Sequence, residues 1–161
     1  MSETLFKLNI AVSLLALTAA CATSPTNRRQ VVLCSAAEMV RQGEGAYRRM
    51  QSELPMNSGP RETTYVQCVA DHVIAALEPT QQAACRWEVI VFDSPQANAF
   101  ASPGGKIGAY TGLFDVAYNR DQLAAVTGHE VGHVLAKHGN ERASRSALRR
   151  VGIAAPRVLG A

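Results

Sequence analysis

The segment His129-Glu130-Val131-Gly132-His133 limits what this chain can fold into more than any other stretch. On an α-helix, residues four apart lie one turn above each other on the same face, so both histidines can direct a ring nitrogen at one metal ion. Glu130 lies about 100° round the helix from His129, from where its carboxylate can reach a metal-bound water. The spacing therefore predicts a helical zinc site, with His129 and His133 as ligands and Glu130 as general base. The alternative is a chance pattern on a surface helix, which arises in roughly one chain of this length in a few hundred.

The residues around the motif predict where its helix begins and what surrounds it. Asn119 with Gln122 forms a candidate N-cap. Residues 122–128 carry no charge, so we expect a mostly buried helix in which the motif is the polar exception. We predict one continuous helix over residues 121–141, on which the two histidine rings converge.

The rest of the chain predicts a small mixed α/β domain. A length of 161 residues with 47% hydrophobic content suits one globular domain. Apolar spacing predicts a helix from Ser35 to about residue 54 and a second helix that follows residue 60 and ends before Pro79. Residues 87–93 predict a strand, and residues 106–111 predict another after a turn at residues 103–105.

Positive charge is concentrated after the motif. The formal net charge is +3. The basic residues that follow the motif, against Glu141 alone, are Lys137, Arg142, Arg145, Arg149, Arg150 and Arg157. A solvated helical extension is the simpler interpretation, and contact with phosphates or anionic lipid is the alternative. We expect no nucleic-acid partner.

Residues 1–20 have the pattern of a signal peptide. Lys7 precedes an uncharged apolar run over residues 8–20, which is too short for a comfortable membrane span. Small residues before Cys21 resemble a bacterial lipobox, where cleavage leaves a lipid-modified N-terminal cysteine. We predict lipidation of Cys21 and a flexible tether over residues 21–34, with plain secretion or an uncleaved anchor as alternatives.

Three further cysteines, Cys34, Cys68 and Cys85, would then lie in an oxidising compartment. An odd number allows at most one internal disulfide, and we choose Cys68–Cys85 because a helix and the entry to a following strand commonly pack together. None of the three has metal-ligand spacing, so we expect structural roles.

Several segments together resemble peptidase family M48. They are Asn98-Ala99-Phe100-Ala101, Pro103-Gly104-Gly105-Lys106-Ile107, Tyr110-Thr111-Gly112-Leu113, and Leu123-Ala124-Ala125-Val126 leading into residues 128–136. The resemblance runs over about residues 35–144 and is to the HtpX-like and BepA/LoiP-like zinc metallopeptidases. The lipobox-like start favours the lipoprotein branch.

The resemblance implies a zincin-like α/β fold of the gluzincin type, in which a small sheet presents an edge strand beside the active-site helix. It also implies one Zn²⁺ per chain and protein or peptide substrates. The residues expected to bind substrate are Asn98, Ala99, Phe100, Gly104 and Gly105. Ala22 follows Cys21 in place of Asp, which by resemblance to lipoprotein signals favours the periplasmic side of the bacterial outer membrane, with the lipid anchor as the membrane contact.

The family takes a third zinc ligand from a Glu on a later helix, and this chain departs from that pattern. Glu141 would lie about 12 Å beyond His133 on a continuous helix, and we expect it to pair with Lys137 and Arg145 on the surface. His138 is expected to point about 140° away from His133 and to be a poor ligand. We therefore expect a family member cut short, with a partial metallopeptidase domain over residues 35–161, weak zinc retention and little proteolysis.

Two functions from different classes follow. The first is a zinc-dependent metalloendopeptidase of the bacterial envelope that hydrolyses misfolded or unassembled envelope proteins in quality control. The second is a catalytically incomplete lipoprotein that binds unfolded chains or an assembly partner without cleavage, because two protein ligands hold zinc weakly. A weaker third is an anionic-surface binder that uses the basic C-terminal residues.

Overall fold

A three-stranded sheet with helices packed on it organises the larger of two units in this chain. The computed structural model describes residues 21–24, 27–57 and 59–150. Residues 36–139 form one unit, here the central unit, and residues 1–35 with 140–161 form the other, the terminal unit. The predicted signal peptide lies outside the described residues.

The elements of the central unit follow the sequence predictions closely. They are α1 Ala36–Glu53, α2 Pro60–Ala75, α3 Pro79–Ala83, β3 Glu88–Phe92, β4 Ala99–Ser102, β5 Lys106–Tyr110, a 3-10 helix Thr111–Asp115, and α4 Arg120–Leu135. The two early helices and the strands β3 and β5 are confirmed. The mixture of helices with a small sheet confirms the α/β fold class.

The sheet order is β3-β5-β4, so β5 is central and β4 lies at an edge. β5 runs parallel to β3 and antiparallel to β4. The outer side of β3 is partly covered, because the N–H of Asn57 donates to the carbonyl of Val91 at 2.9 Å and the N–H of Asp93 donates to that of Pro55 at 2.7 Å. In the part of the chain that the structure describes, no strand pairs with the outer side of β4.

One face of the sheet carries the hydrophobic core. Alternate residues of the strands pack against α2 and α4, as period-two side-chain alternation requires. The strand residues are Val89, Val91, Ala99, Ala101, Ile107 and Ala109, and the helix residues include Val66, Val69, Ala70, Leu123 and Val131. This packing holds α4 firmly across the sheet, with Val131 in the same cluster as Ala101 of β4.

The turn between β4 and β5 needs glycine for conformational reasons. Gly104 has φ of 94° and Gly105 has φ of 84°, a region that L side chains rarely adopt. α1 approaches this turn closely, since a Cβ at position 43 would lie 2.3 Å from the carbonyl oxygen of Pro103. The predicted turn at residues 103–105 is confirmed, and α1 is the element that covers it.

α4 begins as predicted but is less buried than predicted. The Asn119 side chain accepts a hydrogen bond from the Gln122 N–H at 2.9 Å, which confirms the N-cap. Its buried residues are Leu123, Thr127 and Val131. The expectation of a mostly buried helix was wrong, because only this i, i+4, i+8 stripe is fully buried, while Ala124, Val126 and Leu135 are partly buried against the core.

The prediction of one helix over residues 121–141 was also wrong. α4 ends at Leu135, and α5 runs over His138–Arg150. Lys137 lies in the left-handed region with φ of 56°, and its N–H donates to the carbonyl of Val134 at 3.0 Å. This is the usual way for a helix to end, but Gly or Asn usually occupies the left-handed position. A lysine there carries no sequence signal.

The terminal unit contains a hairpin where a flexible tether was predicted. β1 Cys21–Thr23 pairs antiparallel with β2 Arg29–Val31. The Ser24 N–H donates to the Arg28 carbonyl at 2.8 Å, and the Ser24 hydroxyl accepts from the Arg28 N–H at 3.1 Å. Residues 27–31 are thus held by hydrogen bonds that the amino-acid composition of the segment does not predict.

The predicted disulfide was wrong, since Cys34, Cys68 and Cys85 all carry free thiols. Cys68 is exposed on α2, whereas Cys85 packs beside the β4–β5 turn, where a Cβ at Gly105 would lie 2.7 Å from its Cβ. Burial raises the pKa of the Cys85 thiol.

Among the described helices, none is long and apolar enough to cross a membrane.

Candidate metal centre

Three side chains of α4 converge as the motif predicts. One ligand atom from each of His129, Glu130 and His133 lies within 4.8 Å of the others. The rings of the two histidines have centroids 4.3 Å apart at an interplanar angle of 72°. The predicted convergence of the rings is confirmed, and it follows from helical spacing alone.

The cluster lies between a packed interior and solvent. Val131, at the centre of the motif, is 1% exposed and anchors the helix in the core. Glu130 and His133 are half-buried, and His129 is exposed. Core packing thus fixes the helix that carries the three side chains, and all three keep some exposure to solvent.

The donor set fits zinc. Zinc takes imidazole nitrogens at about 2.0–2.1 Å, so two nitrogens on one ion lie at most about 4.2 Å apart. The 4.8 Å limit within which the cluster already lies leaves only small side-chain rotations to bring both rings onto one ion. The two imidazoles are ordinary zinc donors, and the Glu130 carboxylate beside them offsets part of the charge of the ion.

His138 lies beside the cluster, and its predicted position was wrong. Its Nδ1 is 2.6 Å from Nδ1 of His133, with ring centroids 4.8 Å apart. The expected angular separation assumed an unbroken helix through both residues. Because α4 ends at Leu135, the 3.6-residue period does not carry across the break, and α5 starts with His138 against His133.

Glu141 takes part in an ion pair of the terminal unit. Its carboxylate accepts hydrogen bonds from both terminal guanidinium nitrogens of Arg28, from Nη1 at 2.9 Å, and from Arg145 at 2.7 Å. The predicted pair with Arg145 is confirmed, but the predicted surface position was wrong, since Glu141 is only 6% exposed. Arg28, 113 residues away in sequence, was missed because no local pattern links the two positions.

The residues predicted to bind substrate fall on β4 and its turn. The carbonyl of Asn98 accepts from the Tyr110 N–H at 3.0 Å, and Ala99 packs on the core. The Phe100 ring stacks on Phe92 with centroids 6.2 Å apart. Gly104 and Gly105 form the turn described above. Each position has a structural role, and substrate binding by these residues stays a prediction.

A separate cavity lies at the other end of α4 from the motif. Its volume is about 440 Å³, and its lining includes Cys68, His72 and the first turn of α4. Nδ1 of His72 is 2.7 Å from the Cys68 carbonyl oxygen. The motif residues do not line this cavity, so it is distinct from the candidate metal centre.

Comparison with known proteins places the motif in a family context. The sequence model of peptidase family M48 matches residues 60–158. The chain is 32% identical over 120 residues to mitochondrial metalloendopeptidase OMA1 of Schizosaccharomyces pombe, covering 73% of this chain and 35% of the relative. It is 48% identical over 52 residues to the protein of the same name from Arabidopsis thaliana, covering 32% and 11%.

A bacterial relative is also similar. The chain is 24% identical over 104 residues to the β-barrel assembly-enhancing protease of Escherichia coli K12, covering 65% of this chain and 21% of the relative. The chain therefore spans about a third or less of the length of these relatives.

Proposed function

The chain belongs to peptidase family M48, and we propose that it acts as a zinc-dependent metalloendopeptidase of the bacterial cell envelope. The proposed substrates are misfolded or unassembled envelope proteins. The observation that carries the proposal is the convergence of His129, Glu130 and His133 on one helix that packs against an edge strand.

The side chains of α4 divide the chemistry between them. His129 and His133 would hold the zinc ion, which supplies a Lewis acid for the scissile carbonyl and lowers the pKa of the attacking water. Glu130, one residue along the helix from His129, takes the proton from that water and passes it to the leaving amine. Glu130 is half-buried and its carboxylate lies within 4.8 Å of a ligand atom of each histidine, so it is close to where zinc would bind.

β4 supplies a means of holding an extended polypeptide. An unpaired strand edge offers backbone N–H and carbonyl groups that a substrate strand can complete, and such binding tolerates varied sequences. Tolerance of sequence suits substrates that share only a lack of folded structure. In this proposal the substrate strand lies along the open edge of β4, beside Asn98, Ala99 and Phe100, and Gly104 with Gly105 shape the end of the strand.

Localisation to the periplasmic side of the outer membrane rests on the N-terminal sequence and on the bacterial relative. That relative is named for enhancing β-barrel assembly, and β-barrels of this kind are outer-membrane proteins. In the proposal, lipid on Cys21 anchors the protein. Replacing Cys21 with Ser should release it from membranes into the soluble periplasmic fraction, measured by fractionation and immunoblotting. If the Cys21→Ser protein stays in the membrane fraction, lipid on Cys21 is not what anchors it.

The test of the enzymatic proposal separates the base from the ligands. In any form of the protein that cleaves unfolded casein with added zinc, Glu130→Gln should abolish cleavage while zinc content after dialysis stays near that of the unsubstituted protein. His133→Ala should lose both zinc and cleavage. Glu44→Gln, an exposed glutamate on α1, and His72→Ala should change neither, and so serve as matched controls. If the Glu130→Gln variant still cleaves casein, Glu130 is not the general base.

A second function is favoured by one observation. Within the described residues, the single group of three side chains that could hold a metal is His129, Glu130 and His133, so a ligand set of two histidines and the base is all that these residues bring together. Catalytic zinc sites use three protein ligands. The alternative is a lipoprotein that binds unfolded chains or an assembly partner without cleavage. Retained binding of casein, with no turnover by wild type or Glu130→Gln at saturating zinc, would favour it.

A further inference from the structure

We propose that His138 is a positioning residue of the metal centre: its Nδ1 accepts the Nδ1–H of His133 and thereby leaves Nε2 of His133 as the nitrogen that faces zinc. The inference rests on the proposed function, because it concerns the same metal centre. It assigns a role to a residue that lies outside the His-Glu-x-x-His motif.

The geometry requires one proton between the two rings. At 2.6 Å, Nδ1 of His133 and Nδ1 of His138 are within hydrogen-bond distance, so one nitrogen donates and the other accepts. If His138 donated, the proton of a neutral His133 would lie on Nε2. Both nitrogens of His133 would then be unable to bind a metal. Zinc binding is compatible only with His133 as the donor.

The contact with His138 also determines which nitrogen of His133 remains for the metal. The cluster that can share one ion contains His133 together with His129 and Glu130. Since Nδ1 of His133 is engaged by His138, Nε2 is the nitrogen left for that ion. Histidine ligands of metals ordinarily donate their other ring N–H to a neighbouring acceptor, which sets both the tautomer and the ring orientation.

The break between α4 and α5 creates this contact. The left-handed backbone at Lys137 redirects the chain, so that the first residue of α5 returns to the last turn of α4. The next residue, Gly139, lies beside Met39 and Pro103, since a Cβ there would be in ordinary van der Waals contact with both, at 3.7 Å. His138 itself is half-buried. The ring of His138 is therefore carried on a supported stretch of backbone.

The size of the effect follows from comparable metal sites. Loss of a hydrogen-bond partner to a ligating histidine costs about ten- to a hundredfold in metal affinity. We expect a loss in this range when His138 is replaced by a side chain of similar shape without an acceptor. Phe is that side chain, while Asn places an amide oxygen close to the position of the imidazole Nδ1.

The experiment compares the wild-type chain with His138→Phe, His138→Asn and the control His72→Phe. Nitrogen-15 NMR of the histidine side chains in zinc-free protein should show His133 protonated at Nδ1 in the wild type, the Asn variant and the control, and no longer so in the Phe variant. Zinc affinity from chelator competition should fall about ten- to a hundredfold in the Phe variant and recover most of the loss in the Asn variant.

The outcomes distinguish this inference from the proposed function. Absence of casein cleavage would contradict the proposed enzymatic function. It would leave the assignment of the His133 tautomer unaffected. Unchanged zinc affinity in the Phe variant, an Asn variant as weak as the Phe variant, or a wild-type His133 protonated at Nε2 would overturn the positioning role. Nitrogen-15 chemical shifts showing that a ring nitrogen of His138 itself coordinates added zinc would make His138 a ligand. That result would overturn the positioning role as well. If the Phe variant fails to fold, the wild-type tautomer and the affinity of the Asn variant decide.

Discussion

The central unit and the terminal unit bury opposite kinds of side chains. Among the described residues, fifteen of the sixteen buried hydrophobic side chains lie in the central unit, and the terminal unit contributes Val31. For buried polar side chains the balance is reversed. The central unit contributes Thr127, and the terminal unit contributes Ser24, Gln30, Asn140, Glu141 and Ser144.

The two units therefore differ in the interactions that stabilise them: mainly apolar contacts in the central unit, and directional hydrogen bonds and ion pairs in the terminal unit. Apolar contacts are non-directional and tolerate changes that conserve volume. Buried polar groups must find partners: the Ser144 hydroxyl accepts from the Leu33 N–H at 2.8 Å, and the Asn140 amide donates to the Cys34 carbonyl at 2.7 Å. A lost partner leaves a desolvated group unsatisfied. We therefore expect the central unit to be the more stable of the two and the terminal unit to be the more sensitive to polar substitutions.

The largest effect should come from the apolar core of the central unit. Leu123 is 0% exposed on α4, so Leu123→Ala should lower the free energy of unfolding by about 2–5 kcal/mol through lost transfer energy and a cavity. Val116→Ala is the control, because Val116 is 55% exposed and should change stability by less than about 0.5 kcal/mol. Urea denaturation measures both. Equal effects at the two positions would contradict the core assigned to α4.

A smaller effect should come from the glycines of the β4–β5 turn. Gly105→Ala should destabilise by about 1–3 kcal/mol, because φ is 84° and the new Cβ would meet that of Cys85. Gly45→Ala lies inside α1 in open space and should stabilise by about 0.5–1 kcal/mol. Opposite signs in thermal unfolding are the expected result. If Gly105→Ala keeps wild-type stability but binds casein more weakly, the glycine at position 105 is needed for substrate binding and not for the stability of the turn.

The smallest effect should come from the polar interior of the terminal unit. Glu141→Gln removes the charge that both arginines contact and should cost about 1–2 kcal/mol, since Arg28 and Arg145 keep side chains 40% exposed and can regain water. Hydrogen exchange should accelerate in residues 27–33 and 140–150, with the amides of α4 unchanged.

The matched control for that experiment is an exposed pair on α1. Glu44 and Arg48 lie 3.7 Å apart with side chains 41% and 73% exposed, so Glu44→Gln should cost less than about 0.5 kcal/mol. If Glu141→Gln proves as mild as Glu44→Gln, or if α4 exchanges faster together with the terminal unit, the two units are not held in different ways.

Local features could be predicted from the sequence because their causes lie within a few residues. The spacing of His129 and His133 brings two rings to one face, Asn119 caps the helix through an N–H three residues on, and the glycines at 104 and 105 permit a positive-φ turn. The strands β3 and β5 followed from their β-forming residues in the same way. Each depends on the geometry of one turn of helix or one tight turn of chain.

Tertiary structure alone decided the remaining features. The break at Lys137 places a residue without glycine's freedom in the left-handed region, where neighbouring packing outweighs local preference. That break brings His138 to His133, and pairing of distant segments joins Arg28 to Glu141. Sheet order makes β4 an edge. Sequence by itself determined the face of α4 that carries His129, Glu130 and His133, because the helical period fixes it. The surroundings of that face depend on contacts between distant residues, for which no local pattern exists.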